Sequence, residues 1–342
     1  MALSSSGALS LNEMHIEAGG SSGTTAGIND ADIRGLIDKG SAATMAFNEW
    51  YGASATLGRG VFMGGYNSNT MQYITIDTTG NTTDFGDMLF STRDLASGGA
   101  SNGTRGLAAG DDRTRANINV IQYITLATTG NAVDFGNMNP GRSTAAGASN
   151  GTRGVFGGGM NAAGARVNNI DYVTIATTGN ATDFGDLSQA RNILTVVSNA
   201  SRAVWGGGYT GGGGVRTNKI DYVTVDTTGN ASDFGDLTAG RSGLQGIYGG
   251  GRGVFVGGYT GSTTTNVMDY ITIASAGNAT DFGDMVTNAQ AMGGVQSVTR
   301  GVTNRDGTME YITFATTGNA TDFGDASGSS DGQGGVGDYF GE

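Results

Sequence analysis

A single unit, repeated six times, dictates what this chain can fold into. Its fullest form is Arg153 to Leu187, RGVFGGGMNAAGARVNNIDYVTIATTGNATDFGDL. Alignment on Asp-Phe-Gly places copies at Asp84, Asp134, Asp183, Asp233, Asp281 and Asp322. An upstream arginine recurs at Arg59, Arg105, Arg153, Arg202, Arg252 and Arg300. The period is about 50 residues, the size of one four-stranded propeller blade. Length alone, 342 residues, would suggest two or three domains, about one per 100–200 residues. A propeller is one closed domain however long it runs, so the repeat overrides that expectation.

Each copy reads as four strands. An apolar run ends in glycines, as in RGVFMGGY (59–66), RAVWGGGY (202–209) and RGVFVGGY (252–259). After a loop of variable length comes an alternating strand such as DYVTIAT (171–177), with Tyr and Thr on one face and Val and Ile on the other. The TTGN turn follows, its Gly-Asn pair suited to the positive φ of a tight hairpin. The short strand ATDFGDL then closes the outer edge, and an Arg-led stretch such as ARNILTVVSNASR (190–202) leads to the next copy. Gly is 64 residues and Pro 1. Because the glycines hold fixed positions in the repeat, they indicate tight turns and close-packed strands, not disorder. Copy one has no Arg-led strand ahead of Arg59, whereas the chain continues past Asp325 as ASGSSDGQGGVGDYFGE. The segment around Gly335 to Phe340 is therefore predicted to complete the first blade and close a six-bladed ring.

An apolar run ending in Gly-Gly, then a Tyr, then an aromatic, then an Arg is the order found in kelch repeats. Over residues ~57–342 the chain resembles a kelch-type β-propeller, with Phe85, Phe135, Phe184, Phe234, Phe282 and Phe323 where kelch repeats carry Trp. The resemblance implies an all-β six-bladed propeller over 57–342. Residues 1–56 stand apart as an extension. In it NDADIRGLIDKG predicts a short helix, capped by Asn29 or Asp30, apolar at Ile33, Leu36 and Ile37, and stopped by Gly40. The flanking segments SGALSLNEMHIEAGG and GSAATMAFNEWYG resemble the short modules that begin many tailed-bacteriophage structural proteins. That resemblance implies a virion protein, a tail fibre, tail tip or capsid appendage. Residues ~1–56 would anchor it to other virion proteins, as an oligomer within the particle. The first residues have neither a basic start nor an apolar core segment, so no signal peptide is expected and synthesis is placed in the host cytoplasm.

Composition narrows the chemistry. A net charge of -12, with Lys39 and Lys219 the only lysines, gives no basic footprint for nucleic acid. No apolar run approaches the ~20 residues of a membrane span, so no membrane insertion is expected. With no Cys and His15 the one histidine, a Ser-His-Asp site, a clustered metal site and a galactose-oxidase-type centre all lack their residues. The Ser-x-Asp-x-Gly-x-Thr-Trp order of sialidases is absent as well. The chain is expected to be non-enzymatic and without a cofactor, with a glycan-active enzyme as an alternative because carboxylates can converge on a propeller face. No metal site is expected; of the carboxylates, Asp183 and Asp186 of the Asp-Phe-Gly-Asp unit come nearest to a calcium ligand pair. Those aspartates are read instead as turn caps that pair with Arg93, Arg142, Arg191 and Arg241. Sequons at Asn81, Asn180, Asn230, Asn278 and Asn319 are read as backbone geometry.

What breaks the repeat is the loop after Gly-Gly, and equivalent loops of a propeller emerge on one face. Asp111, Asp112, Arg113, Arg115, Arg166, Tyr209, Arg216 and Tyr259 are the residues expected to form a binding surface there. Its expected partner is a host-surface glycan or protein. The alternatives are neutral drift in exposed loops, or a purely structural cement or tail protein touching other virion proteins.

Overall fold

The third strand of each repeat is apolar on both sides. In Lys219–Thr224 and the residue after it, Ile220 faces one way and Val223 and Val225 the other, and all are buried. A sheet apolar on both faces needs a neighbour on each, and a closed ring of identical sheets supplies both. The computed structural model describes residues 58–92, 99–110, 119–211, 213–327 and 332–337. The extension 1–56 and its predicted helix lie outside the described residues. The described chain is all-β and forms a six-bladed propeller of four-stranded antiparallel sheets.

Blade 4 shows the order from inside to outside: Thr195–Ser198, Arg202–Gly206, Lys219–Thr224, Ser232–Asp236. Blade 1 takes its inner strand from the far end of the chain. Gly334–Gly337 pairs antiparallel with Arg59–Met63, with Val61 opposite Val336. This is the closure the sequence predicts; residues 338–342 lie outside the described residues.

Six apolar clusters fill the six seams between blades. Val155, Ile170 and Phe184 of blade 3 meet Trp205, Val223 and Val225 of blade 4. At the closing seam Val302, Met309 and Phe323 meet Phe62, Ile74 and Ile76. Each such side chain contributes roughly 1.5–3 kcal/mol by burial. Near the axis the inner strands are tied by hydroxyls: Ser149 Oγ donates to the Ser101 carbonyl and Ser198 Oγ to the Ser149 carbonyl. The Tyr248 hydroxyl bonds Ser198 and Gln296, and its burial raises its pKa against the pull of those bonds.

The Asp-Phe-Gly-Asp unit carries the backbone hydrogen bonds at the outer edge of each seam. At the seam of blades 4 and 5, Gly277 N–H donates to the Phe234 carbonyl and Ala279 N–H to the Asp236 carbonyl. In return Asp236 N–H donates to Asn278 Oδ1 at 3.0 Å. All six seams repeat this arrangement, the last through Gly80 and Asn81 on Phe323 and Asp325. The glycine between has no alternative: Gly235 stands at φ 147°, and a Cβ there would lie 2.4 Å from the Gly277 carbonyl oxygen.

Two expectations are corrected here. None of the six hairpin asparagines has a positive φ, and among the hairpin glycines only Gly318 does. Asn is needed because its side chain accepts from the neighbouring blade. Asn131 makes the same bond at 3.0 Å, although its sequence, Asn-Ala-Val, is no sequon.

The recurrent arginines clasp the same seams. Arg202 stacks over Tyr222 at 4.6 Å and donates through Nη1 to the Ile273 carbonyl of the next blade. Tyr222 in turn meets Phe234 edge-on, ring centres 5.7 Å apart. Arg300 over Tyr311, donating to the Ile76 carbonyl, closes the ring in the same way. All six arginines stack on a tyrosine and donate to a carbonyl of the following blade.

Gly235→Ala should cost roughly 2 kcal/mol or more, since it adds both φ strain and overlap. Gly229→Ala, whose Cβ would have nothing within 4 Å, should stay within about 0.5 kcal/mol of the parent. Urea unfolding of the two variants checks this. Equal losses would remove the seam contact as the reason for glycine.

Candidate functional site on the loop face

Strand direction alternates within each blade, so the loops between second and third strands leave the same end of the ring as the links between blades. This end is the loop face; the TTGN hairpins lie at the other. Beneath the loops of blades 3, 4 and 5 lie three arginines, Arg142, Arg191 and Arg241, each almost completely buried. They do not pair with the aspartates of Asp-Phe-Gly-Asp, as the sequence suggested. Their partners are Asp171, Asp221 and Asp269 on the third strands. Asp84, Asp134, Asp183, Asp233, Asp281 and Asp322 point outward and are exposed. Arg93 lies outside the described residues.

Each buried arginine also satisfies carbonyls at the root of its loop. Arg142 donates to the Gly158 and Phe156 carbonyls, Arg191 to Lys219 and Trp205, and Arg241 to Gly257 and Val267. The carboxylates are held in turn: Ser188 Oγ donates to Asp221 and Thr238 Oγ1 to Asp269, both at 2.7 Å. Burial lowers the pKa of Arg191 and of Arg241, with the attraction of Asp221 and Asp269 opposing it. Burial likewise raises Asp171 above the usual carboxylate value, with Arg142 opposing. Such pairs fix geometry more than they add stability, because desolvation offsets most of the attraction. The Gly-Gly pair then lays each loop across the following link. Gly207 has φ 66°, and a Cβ on it would stand 2.6 Å from the Arg241 carbonyl oxygen.

On these three supported loops four of the eight predicted residues come together. Arg166 of blade 3 stacks over Tyr209 of blade 4 at 4.5 Å. Arg216 stacks over the same ring at 5.0 Å and over Tyr259 of blade 5 at 4.8 Å. The result is a ladder, Arg166–Tyr209–Arg216–Tyr259, crossing three blades. Its tyrosines are pinned through their backbones, Tyr209 to Asn192 and Tyr259 to Ser242, by paired hydrogen bonds to the links. A short ribbon, Tyr209–Gly211 with Val215–Arg216, holds the blade 4 loop upright.

The ladder arginines differ from the seam arginines in one respect. Among the described residues no acceptor takes a hydrogen bond from Arg166, and its Nε is buried without a partner. Arg216 donates only to the Gly214 carbonyl of its own loop, and its Nε is likewise unpartnered. Neither forms an ion pair among the described residues. Asp111, Asp112, Arg113 and Arg115 lie outside the described residues.

Asp183 and Asp186 flank Gly185 at the outer edge, and Asp186 contributes its backbone to the seam. Among the described residues no three His, Cys, Asp or Glu side chains stand close enough together to hold a metal ion. The sequence reading missed a second feature of the loop face. Ala289 holds the place of the buried arginine at blade 6, as its backbone bond to Gly258 shows, and the partner aspartate is replaced there by Glu310. A groove of about 320 Å³ opens beside it, lined by Thr264, Thr287, Asn288, Gln290, Arg305 and Asp306 among others. The loss of Gly-Gly in copy six, TNRDGTME, was its signal in the sequence. In blades 1 and 2 the aspartate position is Gln72 and Gln122. Among the described residues, buried Arg–Asp pairs thus stand only under the three ladder loops.

No protein-family model matches the chain, and no curated protein matches it.

Asp221→Ala leaves Arg191 charged and alone in the interior and should cost about 3–5 kcal/mol. The double change Arg191→Met with Asp221→Leu should recover most of that loss. Thermal unfolding of both variants is the check, and a single variant as stable as the parent would contradict it.

Proposed function

We propose that the chain is a non-enzymatic virion protein of a tailed bacteriophage, displayed on the particle, whose loop face binds a glycan or protein of the host surface. The observation that carries the binding role is the Arg166–Tyr209–Arg216–Tyr259 ladder. Four side chains from three different loops meet there, on the end of the ring where the repeats diverge. Exposed loops on a rigid scaffold are where recognition residues concentrate, and buried pairs beneath them hold such residues in place. The kelch-like order of motifs supports the same kind of interaction module. The setting rests on the likeness of the 1–56 segments to phage structural modules. In this reading those residues join the protein to other virion components, and the protein works as an oligomer within the particle.

The test uses the full chain and its Arg166→Ala/Arg216→Ala double variant against a panel of bacterial cells and their extracted surface glycans. The parent should bind at least one member and the variant should lose that binding without a change in unfolding midpoint. Association with phage particles alone, equal for both proteins, would favour a structural cement instead. Release of reducing ends from a bound glycan would overturn the non-enzymatic assignment.

A further inference from the structure

The molecule contains its own control for the ladder. On the hairpin side, six arginines stack on six tyrosines, and each directs its guanidinium at a carbonyl of the next blade. Those are ties between blades. On the loop face the stacking is the same, yet Arg166 has no acceptor among the described residues and Arg216 has one, in its own loop. A guanidinium offers five N–H donors in a fixed planar fork that matches an oxyanion. Stacking on Tyr209 and Tyr259 orients that fork. Nε is buried in both arginines and Nη1 of Arg216 is taken by Gly214, while the remaining Nη N–H groups have no acceptor among the described residues.

Resting on the binding role proposed for this face, we infer that the ladder is a subsite for an oxyanion-bearing polysaccharide, gripped at its carboxylate or sulfate groups by Arg166 and Arg216. Charge decides between the polyanions. The chain carries -12 overall, so a densely charged polymer such as DNA, with one charge per about 1.7 Å of axis, meets net repulsion. A polymer with one charge per sugar can place an oxyanion at each arginine and little charge elsewhere. The remainder of such a ligand is hydroxyl groups, and the loop beside Tyr259 is rich in partners for them. Thr260, Ser262 and Thr263 stand there with hydroxyls bonded mainly to one another and to their own loop. An acidic peptide would bring few hydroxyls to that surface.

Four polymers test this on the full chain by titration calorimetry: alginate for carboxylates, κ-carrageenan (one sulfate per disaccharide) for sulfates, neutral dextran and polyglutamate. Alginate or κ-carrageenan should bind, more weakly at raised salt, and the tighter of the two names the oxyanion. Arg166→Ala and Arg216→Ala should each weaken binding about tenfold or more, the scale of a hydrogen bond to a charged group. Arg216→Lys, which keeps the charge without the fork, should weaken it as well while leaving the fold undisturbed. Three results would overturn the inference: arginine variants that bind like the parent, dextran bound as tightly as alginate, or polyglutamate bound more tightly than either acidic glycan. If no polymer binds but bacterial cells do, this inference fails and the display role stands. If neither polymers nor cells bind, both fail.

Discussion

The structure depends on one close approach, repeated around the ring. The glycine of each Asp-Phe-Gly stands under the hairpin of the following blade, so near that a methyl group on Gly235 would overlap the Gly277 carbonyl. That approach brings three hydrogen bonds and an arginine clasp into register at every seam. Since each seam sets the angle to the next blade, six equal seams close after six blades. A seam of different geometry would leave the ring open or strained. This is why the hairpin side is so uniform: Asn131 keeps the seam bond outside any sequon, and Thr82 replaces the usual alanine without altering its backbone bond to Asp325.

The loop face is free of that constraint, and there the blades diverge. Blades 3, 4 and 5 place a buried arginine–aspartate pair under the loop, whereas blades 1, 2 and 6 use glutamine, glutamine and glutamate on the third strand. A buried ion pair is an expensive way to hold a loop, since an apolar pair of the same size serves stability as well or better. What it offers is direction: Arg142 and Arg241 each bond the carbonyl of the first glycine in Gly-Gly, Gly158 and Gly257, and so fix where the loop leaves the sheet. The ladder residues stand on those same loops. Support below and donors largely without acceptors above belong to one arrangement, in which a rigid root holds the arginine edges in place.

Fold was legible in the sequence because it is written six times. The period, the alternation in DYVTIAT and the missing strand before Arg59 led to six blades and to closure by the C-terminal segment, which pairs as Gly334–Gly337. The reasons for the motifs were less legible. Asp-Phe-Gly-Asp looked like a source of carboxylates, but its chemistry is backbone and glycine, and spacing along one copy does not reveal contact with the next. The partner of Arg191 was misread for a related cause. Asp221 is 30 residues distant in sequence, while Asp186 and Asp183 are closer neighbours along the chain. For the candidate site, divergence among the loops pointed to Arg166, Tyr209, Arg216 and Tyr259 individually. Their stacking into one ladder needed the ring, because it joins three blades. The groove beside Ala289 had only the lost Gly-Gly as its trace.

The repeated end of the ring holds it closed, and the divergent end is the one proposed to recognise a ligand. Hydrogen exchange of the full chain, with and without whichever polymer proves to bind most tightly by calorimetry, tests that proposal. Exchange should slow in loops 158–168, 207–218 and 257–266, with the hairpins 77–82, 176–181 and 226–231 unchanged. Protection confined to the hairpins, or spread equally over both ends, would contradict it.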